Sequence, residues 1–343
     1  MGKKETTIYD IARQLNLSPA TVSRALHDHP AINRNTKVLI TQKAKEMGYR
    51  TNTFARNLRR QRTNTLGVIV PRLNSYFMST VLAGMEKVAN EAAYNLIITQ
   101  SLESAQKEIA NAKTLFNSRV DGLLVSLAYD TEETEHFETY VKKGIPLLFF
   151  DRVLAHKQCT SIVINNEEAA FEAVTHLIAQ GCRRVAHLTG DLRRNVYAER
   201  LAGYRRALTA HGLPYDETLV RTTDLSPEAG TEAAAWLQHL APMPDGVFVA
   251  NDSCAVSCII ALKQAGVQIP EQIAFAGFNN DPVSRVVEPN LTTVHYPGQQ
   301  MGEIAVKTLI NHLNGKESLD ATNTIILRSE LIARASSCRG KSL

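Results

Sequence analysis

A chain of 343 residues with 44% hydrophobic side chains has room for a small head and one large or two medium globular domains. No apolar run approaches a membrane span, and residues 1–7 lack the apolar core of a secretion signal, so the expected setting is the cytosol without a membrane partner. The net charge of +4 hides an asymmetry: residues 1–62 hold 13 Lys and Arg against 4 Asp and Glu, leaving 25 against 30 for the remainder. A basic head on a mildly acidic body is the electrostatic footprint of a nucleic-acid binder, whereas a merely soluble basic protein would scatter its cations along the chain.

Taken in chain order, the first elements are two short helices joined by a tight turn. Ile8, Ile11, Ala12 and Leu15 form one apolar stripe behind Thr7, a candidate N-cap. Asn16 and Leu17 make the turn. Ser18 is a good cap for the second helix, Pro19 sits where its missing N–H costs nothing, and Val22, Ala25 and Leu26 face inward. Ala20, Ser23, Arg24 and His27 then point out. Short side chains allow close approach to a major groove, and a guanidinium can reach guanine O6 and N7. The plainer alternative is a small amphipathic helix pair with no such task.

A third helix is expected behind the cap Asn33, with Thr36, Ile40, Ala44 and Met47 on one face and Gly48 as its stop. Residues 52–62 (NTFARNLRRQR) are too short and too charged for a stable helix alone. They read either as a hinge whose Leu58 wedges into a minor groove or as a flexible basic linker, and composition leaves both open.

From residue 66 short apolar runs alternate with helical stretches. Residues 66–70, 96–98, 122–125 and 146–150 read as buried parallel strands, with helices around 77–93, 104–117 and 132–143. The alternation resumes at 161–164, 185–188, 246–249 and 273–276, which predicts two doubly wound α/β lobes. Ligands in such sheets sit beyond the carboxyl ends of the strands, here 71–77, 126–129, 151–152, 190–200, 250–252 and 278–281. The five cysteines lack zinc spacing and read as free thiols. There is no GxGxxG after the first strand, no GxxxxGK[ST], no HExxH and no GxSxG, so no enzyme, metal or cofactor is expected. His187, His211 and His295 stand alone and read as surface or core histidines.

Several stretches then carry a resemblance over nearly the whole chain: TIYDIARQLNLSPATVSRAL, NTFARNLRR, LGVIVP, DGLLVS, FFDR, RLAGYRRAL, VFVANDSCAV, IAFAGFNND and PNLTTV. Together they resemble the lac repressor/galactose repressor (LacI/GalR) family of bacterial transcription regulators. The resemblance implies an α/β protein with an all-α helix-turn-helix head at 1–50, a hinge helix and linker at 51–64, and a two-lobed core at 65–343 like that of periplasmic sugar-binding proteins. Lobe 1 would hold about 65–161 and 292–325, and lobe 2 about 162–291 and 326–343. It also implies a repressor that binds operator DNA as a homodimer and responds to a small-molecule effector, a sugar or sugar acid.

Carried over position by position, the resemblance puts Ala20, Thr21, Ser23, Arg24 and His27 in the major groove and Leu58 with Arg59 in the minor groove, with Thr7, Ser18 and Asn52 as further DNA contacts. Effector contacts fall on Tyr76, Phe77, Asp151, Arg152, Arg194, Arg200, Asn251, Asn279 and Tyr296. Two departures stand out. The family's usual GYD or GFD is Gly277-Phe278-Asn279, and Tyr296 replaces the commoner glutamine of TTVxQ. Losing a carboxylate while keeping Arg152, Arg194 and Arg200 predicts an anionic effector such as a uronate or sugar phosphate, unless arginines such as Arg193 and Arg152 form ion pairs between lobes or subunits. Without a leucine heptad after Arg334, a dimer is expected rather than a tetramer. A solute-binding protein without DNA function shares the two-lobed fold but would not carry the basic head, and a sugar-processing enzyme would need a nucleophile or metal set.

Overall fold

A computed structural model describes residues 6–49, 62–154, 159–319 and 323–339. The chain divides into two compact units, Met1–Thr63 and Asn64–Leu343.

In the first unit α1 (Ile8–Leu15), α2 (Pro19–Leu26) and α3 (Arg34–Glu46) close around Ile11, Val22 and Ile40, each 0% exposed. The predicted punctuation is present. Thr7 accepts from the Asp10 N–H, and the Asp10 carboxylate accepts from the Thr7 N–H at 3.0 Å, a reciprocal capping box. Asn16 ends α1 in the left-handed region at φ 51, and Gly48 follows α3 at φ 64. Ser18 and Asn33 cap α2 and α3 by accepting the Thr21 and Thr36 N–H groups at 3.1 and 2.8 Å.

The second unit is two lobes threaded three times by the chain. Lobe 1 runs β1 (Thr65–Val70), α4 (Tyr76–Glu91), β2 (Asn95–Gln100), α5 (Ala105–Asn117), β3 (Gly122–Val125), α6 (Glu138–Lys142), β4 (Leu147–Phe150) and β5 (Thr160–Ile164). After Ile164 the chain crosses to lobe 2 and runs α7 (Asn166–Ala179), β6 (Val185–Thr189), α8 (Asn195–Ala210), β7 (Val220–Thr222), α9 (Pro227–His239), β8 (Gly246–Val249), α10 (Asp252–Gln264), β9 (Ala274–Asn279), α11 (Val283–Val286) and β10 (Thr292–His295). It returns to lobe 1 for α12 (Gly298–Leu313) and β11 (Thr324–Leu327), then ends in lobe 2 with β12 (Glu330–Ile332).

The sheet orders are β11-β5-β4-β3-β1-β2 and β12-β10-β9-β8-β6-β7. All pairs are parallel except β10 with β12. Central strands such as β3, β4 and β8 are buried throughout, as their unbroken apolar runs predict. The edge strand β2 is not: Ile97 and Ile98 are 36% and 40% exposed. In lobe 1, α4 and α12 touch backbone to backbone, since a Cβ at Gly84 would lie 2.1 Å from the Gln299 carbonyl oxygen and one at Gly302 2.0 Å from that of Val81.

The expected lobe boundaries need correction at all three crossings: residues 326 and 327, expected in lobe 2, stay in the first sheet, where β11 pairs with β5. Residues 162–164 stay in the first sheet, where β5 pairs with β4 and β11. Residues 292–295 belong to the second sheet, where β10 pairs with β9 and β12. An apolar run announces burial but not which of two similar sheets it will join.

Candidate functional site

The head offers one built surface. Along α2 the inner side chains Val22 and Ala25 are 0% and 5% exposed, while Ala20, Arg24 and His27 face solvent and Thr21 and Ser23 are half-buried. The His27 ring is fixed: Nδ1 lies 2.6 Å from the Ser23 carbonyl oxygen, which can only accept, so Nδ1 carries a proton and Nε2 is left to project. Thr7 and Ser18 start their helices. Their hydroxyls are engaged, Thr7 with Asp10 and Ser18 with Thr21. Asn52, Leu58 and Arg59 lie outside the described residues.

In the second unit, the carboxyl ends of the strands meet across a cleft of about 310 Å³. Lobe 1 contributes Arg72, Tyr76, Phe77, Glu103, Tyr129, Asp151 and Arg152, and lobe 2 contributes Tyr197, Arg200, Asp224, Asn251, Asn279 and Asp281, with Tyr296 on the second crossing.

Charge in this cleft is mostly spent inside the protein. Arg152 donates to Glu103 Oε2 at 2.7 Å and to the Tyr197 hydroxyl at 3.3 Å, and its guanidinium lies 4.2 Å from the Tyr129 ring centroid. Arg72 Nε stands 3.4 Å from the other Glu103 oxygen. Arg200 donates to Asn166 Oδ1 at 3.0 Å and to the Ala250 carbonyl at 2.8 Å while covering the Phe278 ring at 3.6 Å. Burial holds its pKa below the usual arginine value. Asp151 accepts from the Tyr296 hydroxyl at 2.9 Å and from Ser126 at 3.2 Å. Three guanidinium groups thus face four carboxyl groups, Glu103, Asp151, Asp224 and Asp281.

The floor of lobe 2 is a loop held in an uncommon shape. Asn279 and Asn280 have φ 110 and 59, both in the region that favours glycine. Asp252, at the first turn of α10, clamps this loop by accepting from the Asp281 N–H at 2.7 Å and the Thr293 hydroxyl at 2.6 Å. Burial pushes the Asp252 carboxyl up to about 8 and that of Asp281 up to about 6. Asp281 Oδ1 is buried without a hydrogen-bond partner among the described residues.

Comparison with known proteins fits both units. The profile for "Bacterial regulatory proteins, lacI family" matches residues 7–52, and that for a "Periplasmic binding protein-like domain" matches 174–337. The chain is 32% identical over 317 residues to catabolite control protein A of Priestia megaterium, spanning 92% of this chain and 95% of that one. The chain belongs to the LacI family of bacterial regulatory proteins. It is a DNA-binding transcriptional regulator with a ligand-binding body. Among solved structures, the transcriptional regulator CelR in complex with cellobiose superposes with a TM-score of 0.74 at 26% identity, covering 97% of this chain and 100% of that one. The lac repressor dimer bound to operator and the anti-inducer ONPF shares the fold, with a TM-score of 0.85 at 22% identity over 97% and 99% of the two chains.

Of the effector residues expected from the LacI-family resemblance, Tyr76, Phe77, Asp151, Arg152, Arg200, Asn251, Asn279 and Tyr296 come together in the cleft. Asn251 is largely committed to structure: its Oδ1 caps α10 by accepting from the Cys254 N–H at 2.8 Å, and its amide donates to the Leu225 carbonyl at 3.1 Å. Arg194 is a correction. It is 1% exposed, does not line the cleft, and donates from Nη2 to the Thr131 carbonyl of lobe 1. Its neighbours also join the lobes: Arg193 approaches Glu132 at 3.5 Å, and Asn195 Oδ1 accepts from the Val153 N–H at 2.9 Å. Side chains at 193, 194 and 195 diverge at the start of α8, so nearness to a strand end did not fix their targets. Tyr129, Tyr197 and Asp281 fall inside stretches the strand-end rule marked, although they were not singled out. Glu103 was missed because β2 is an exposed edge whose carboxyl end was not counted with the others.

Proposed function

We propose that this LacI-family regulator is a cytoplasmic, non-enzymatic repressor that acts as a homodimer and whose operator affinity is set by a neutral sugar bound between its lobes. The observation that carries the effector reading is the closed charge account of the cleft. Arg152 and Arg72 share Glu103, Arg200 is committed to Asn166 and Ala250, and Arg194 lies elsewhere, so among the described residues of the cleft each arginine is already engaged and no free cationic cluster awaits an anion. The carboxyl, amide and guanidinium atoms that remain suit hydroxyl groups, and Tyr76, Phe77 and Tyr129 suit the apolar faces of a sugar ring. This replaces the uronate or sugar phosphate expected from the sequence.

On DNA, Arg24 and the short side chains Ala20 and Ser23 are the readers of base edges, with Thr21 and His27 beside them. A ligand that binds one lobe arrangement better shifts the population toward it, and operator affinity follows. The partner in the dimer is a second copy, covering the apolar groove of Val256, Ile260, Val283, Val286 and Val287 on α10 and α11 and the exposed edge β2. Val286 is 79% exposed and Ile260 47%, which favours an interface over a solvated face.

The test is fluorescence anisotropy of the full chain on a pool of palindromic duplexes across a salt series, followed by titration of neutral sugars and sugar acids. Selective binding altered by neutral sugars alone supports the reading. A response confined to sugar acids overturns the effector class, and no sequence selection overturns the operator assignment.

A further inference from the structure

We propose that the Tyr296 ring is a partition that limits the effector to a single sugar ring. The inference rests on the neutral-sugar reading above. A second cavity of about 420 Å³ adjoins the cleft, with Arg285, His295 and Gln300 in its lining. Five residues line both spaces and therefore form the wall between them: Tyr76, Phe77, Asn279, Asp281 and Tyr296. Phe77 and Tyr296 supply its bulk, stacked with centroids 4.2 Å apart and planes 26° from parallel, at 7% and 3% exposure.

Tyr296 is held from three sides. Its hydroxyl donates to Asp151, buried in lobe 1, at 2.9 Å. Its ring edge meets Phe278 of lobe 2 at 6.1 Å and 87°. The chain just beyond it is pinned, because a Cβ on Gly298 would lie 2.2 Å from Thr80 Oγ1 and 3.1 Å from the Phe77 carbonyl oxygen. The second crossing therefore lies directly against the first turn of α4, which carries the other half of the wall. Moving the ring aside would break a buried hydrogen bond and disturb both lobes.

At about 310 Å³ the cleft alone is at the lower end of small-molecule sites, while the two spaces together lie well within their range. A second sugar ring has two ways to go. Through the wall it meets Phe77 and Tyr296. Within the cleft it would also meet Arg72 of lobe 1 and Asp224 of lobe 2, whose opposite charges attract. A ligand seated in the cleft reaches the polar lining of the second cavity, Asn280, Arg285, His295 and Gln300, when the wall is thinned.

The experiment is isothermal titration of the full chain with glucose, galactose, ribose and fructose, and with maltose, cellobiose, lactose and sucrose. It is run on the wild type, Tyr296→Leu and Tyr296→Phe, with Phe77→Leu thinning the wall from its other side should Tyr296→Leu not fold. The expected result is one preferred monosaccharide, with disaccharides containing it at least about tenfold weaker. Thinning the wall should close or reverse that gap, and Tyr296→Phe, which keeps the ring, should preserve it. Wild type binding a disaccharide as tightly as its monosaccharide overturns the partition while leaving the sugar reading intact. So does a folded, thinned variant that still excludes disaccharides. Binding of no sugar by wild type overturns the sugar reading and the partition with it.

Discussion

Glu103 and Arg152 meet at 2.7 Å with side chains only 10% and 11% exposed, and this pair sets the charge that a ligand meets on the lobe 1 side of the cleft. Glu103→Gln keeps an acceptor for the Tyr129 N–H but leaves the guanidinium without its counter-charge. Removing one partner of a buried pair costs about 3–5 kcal/mol, so the melting temperature should fall by many degrees. Because Arg72 also loses one of the two carboxylates that face it, keeping only Asp224, the variant should gain affinity for gluconate or glucuronate. Calorimetry of the two proteins, followed by titration with both acids, checks each half of the expectation.

Asp252 predicts a pH dependence with a definite sign. Its carboxyl, raised by burial from 3.8 to about 8, holds a proton in the folded protein that the unfolded chain releases. Its contribution is therefore fully present below pH 3.8 and is lost as pH rises, until it is gone above about 8. Asp281, raised to about 6, acts in the same direction over a lower window. An Asp252→Asn variant should show a stability profile that falls less between pH 4 and 8 than that of wild type. It should also be less stable at the acid end, since an amide can accept only one of the two hydrogen bonds from Asp281 and Thr293. Urea midpoints across that pH range measure both effects.

Arg24 is exposed on α2, one turn beyond Ala20. Arg24→Ala should lower affinity for the selected operator by about 1–3 kcal/mol while relaxing selection at one base pair of each half-site. Non-specific affinity should fall far less. Anisotropy with the selected duplex and a scrambled one separates the two terms.

Val286→Glu together with Ile260→Glu should convert the homodimer to a monomer, because it places carboxylates in a patch proposed to be dry in the assembly. Sedimentation velocity at micromolar concentration would show the change. A double variant that sediments like wild type would remove this face from the interface.

Much of this architecture could be read from residues. The head was legible in detail because its punctuation is chemical: Thr7, Asn16, Ser18, Pro19, Asn33 and Gly48 each do locally what their side chains favour. Most central strands were legible because burial on both faces demands unbroken apolar runs, but β10, largely buried and reading Thr-Thr-Val-His, was not. β7, β11 and β12 were not, being three or four residues long with little burial to write a pattern. Within the cleft, the strand-end rule located the right segments but not the directions of side chains. Arg200 and Arg194 look alike in sequence and do different things, one covering Phe278 and the other reaching Thr131. Those targets depend on loops distant in sequence, which no local pattern encodes.

The exposed edge β2, with Ile97 and Ile98 half open to solvent, has a practical consequence for handling the protein. An uncovered strand is a template for cross-strand addition, so a chain separated from its second copy risks self-association into aggregates. Dilution below the subunit affinity would then lower the recoverable active fraction with time, and concentrated storage or saturating operator would protect it. Loss on dilution would thus be a solubility problem written into one edge of one sheet.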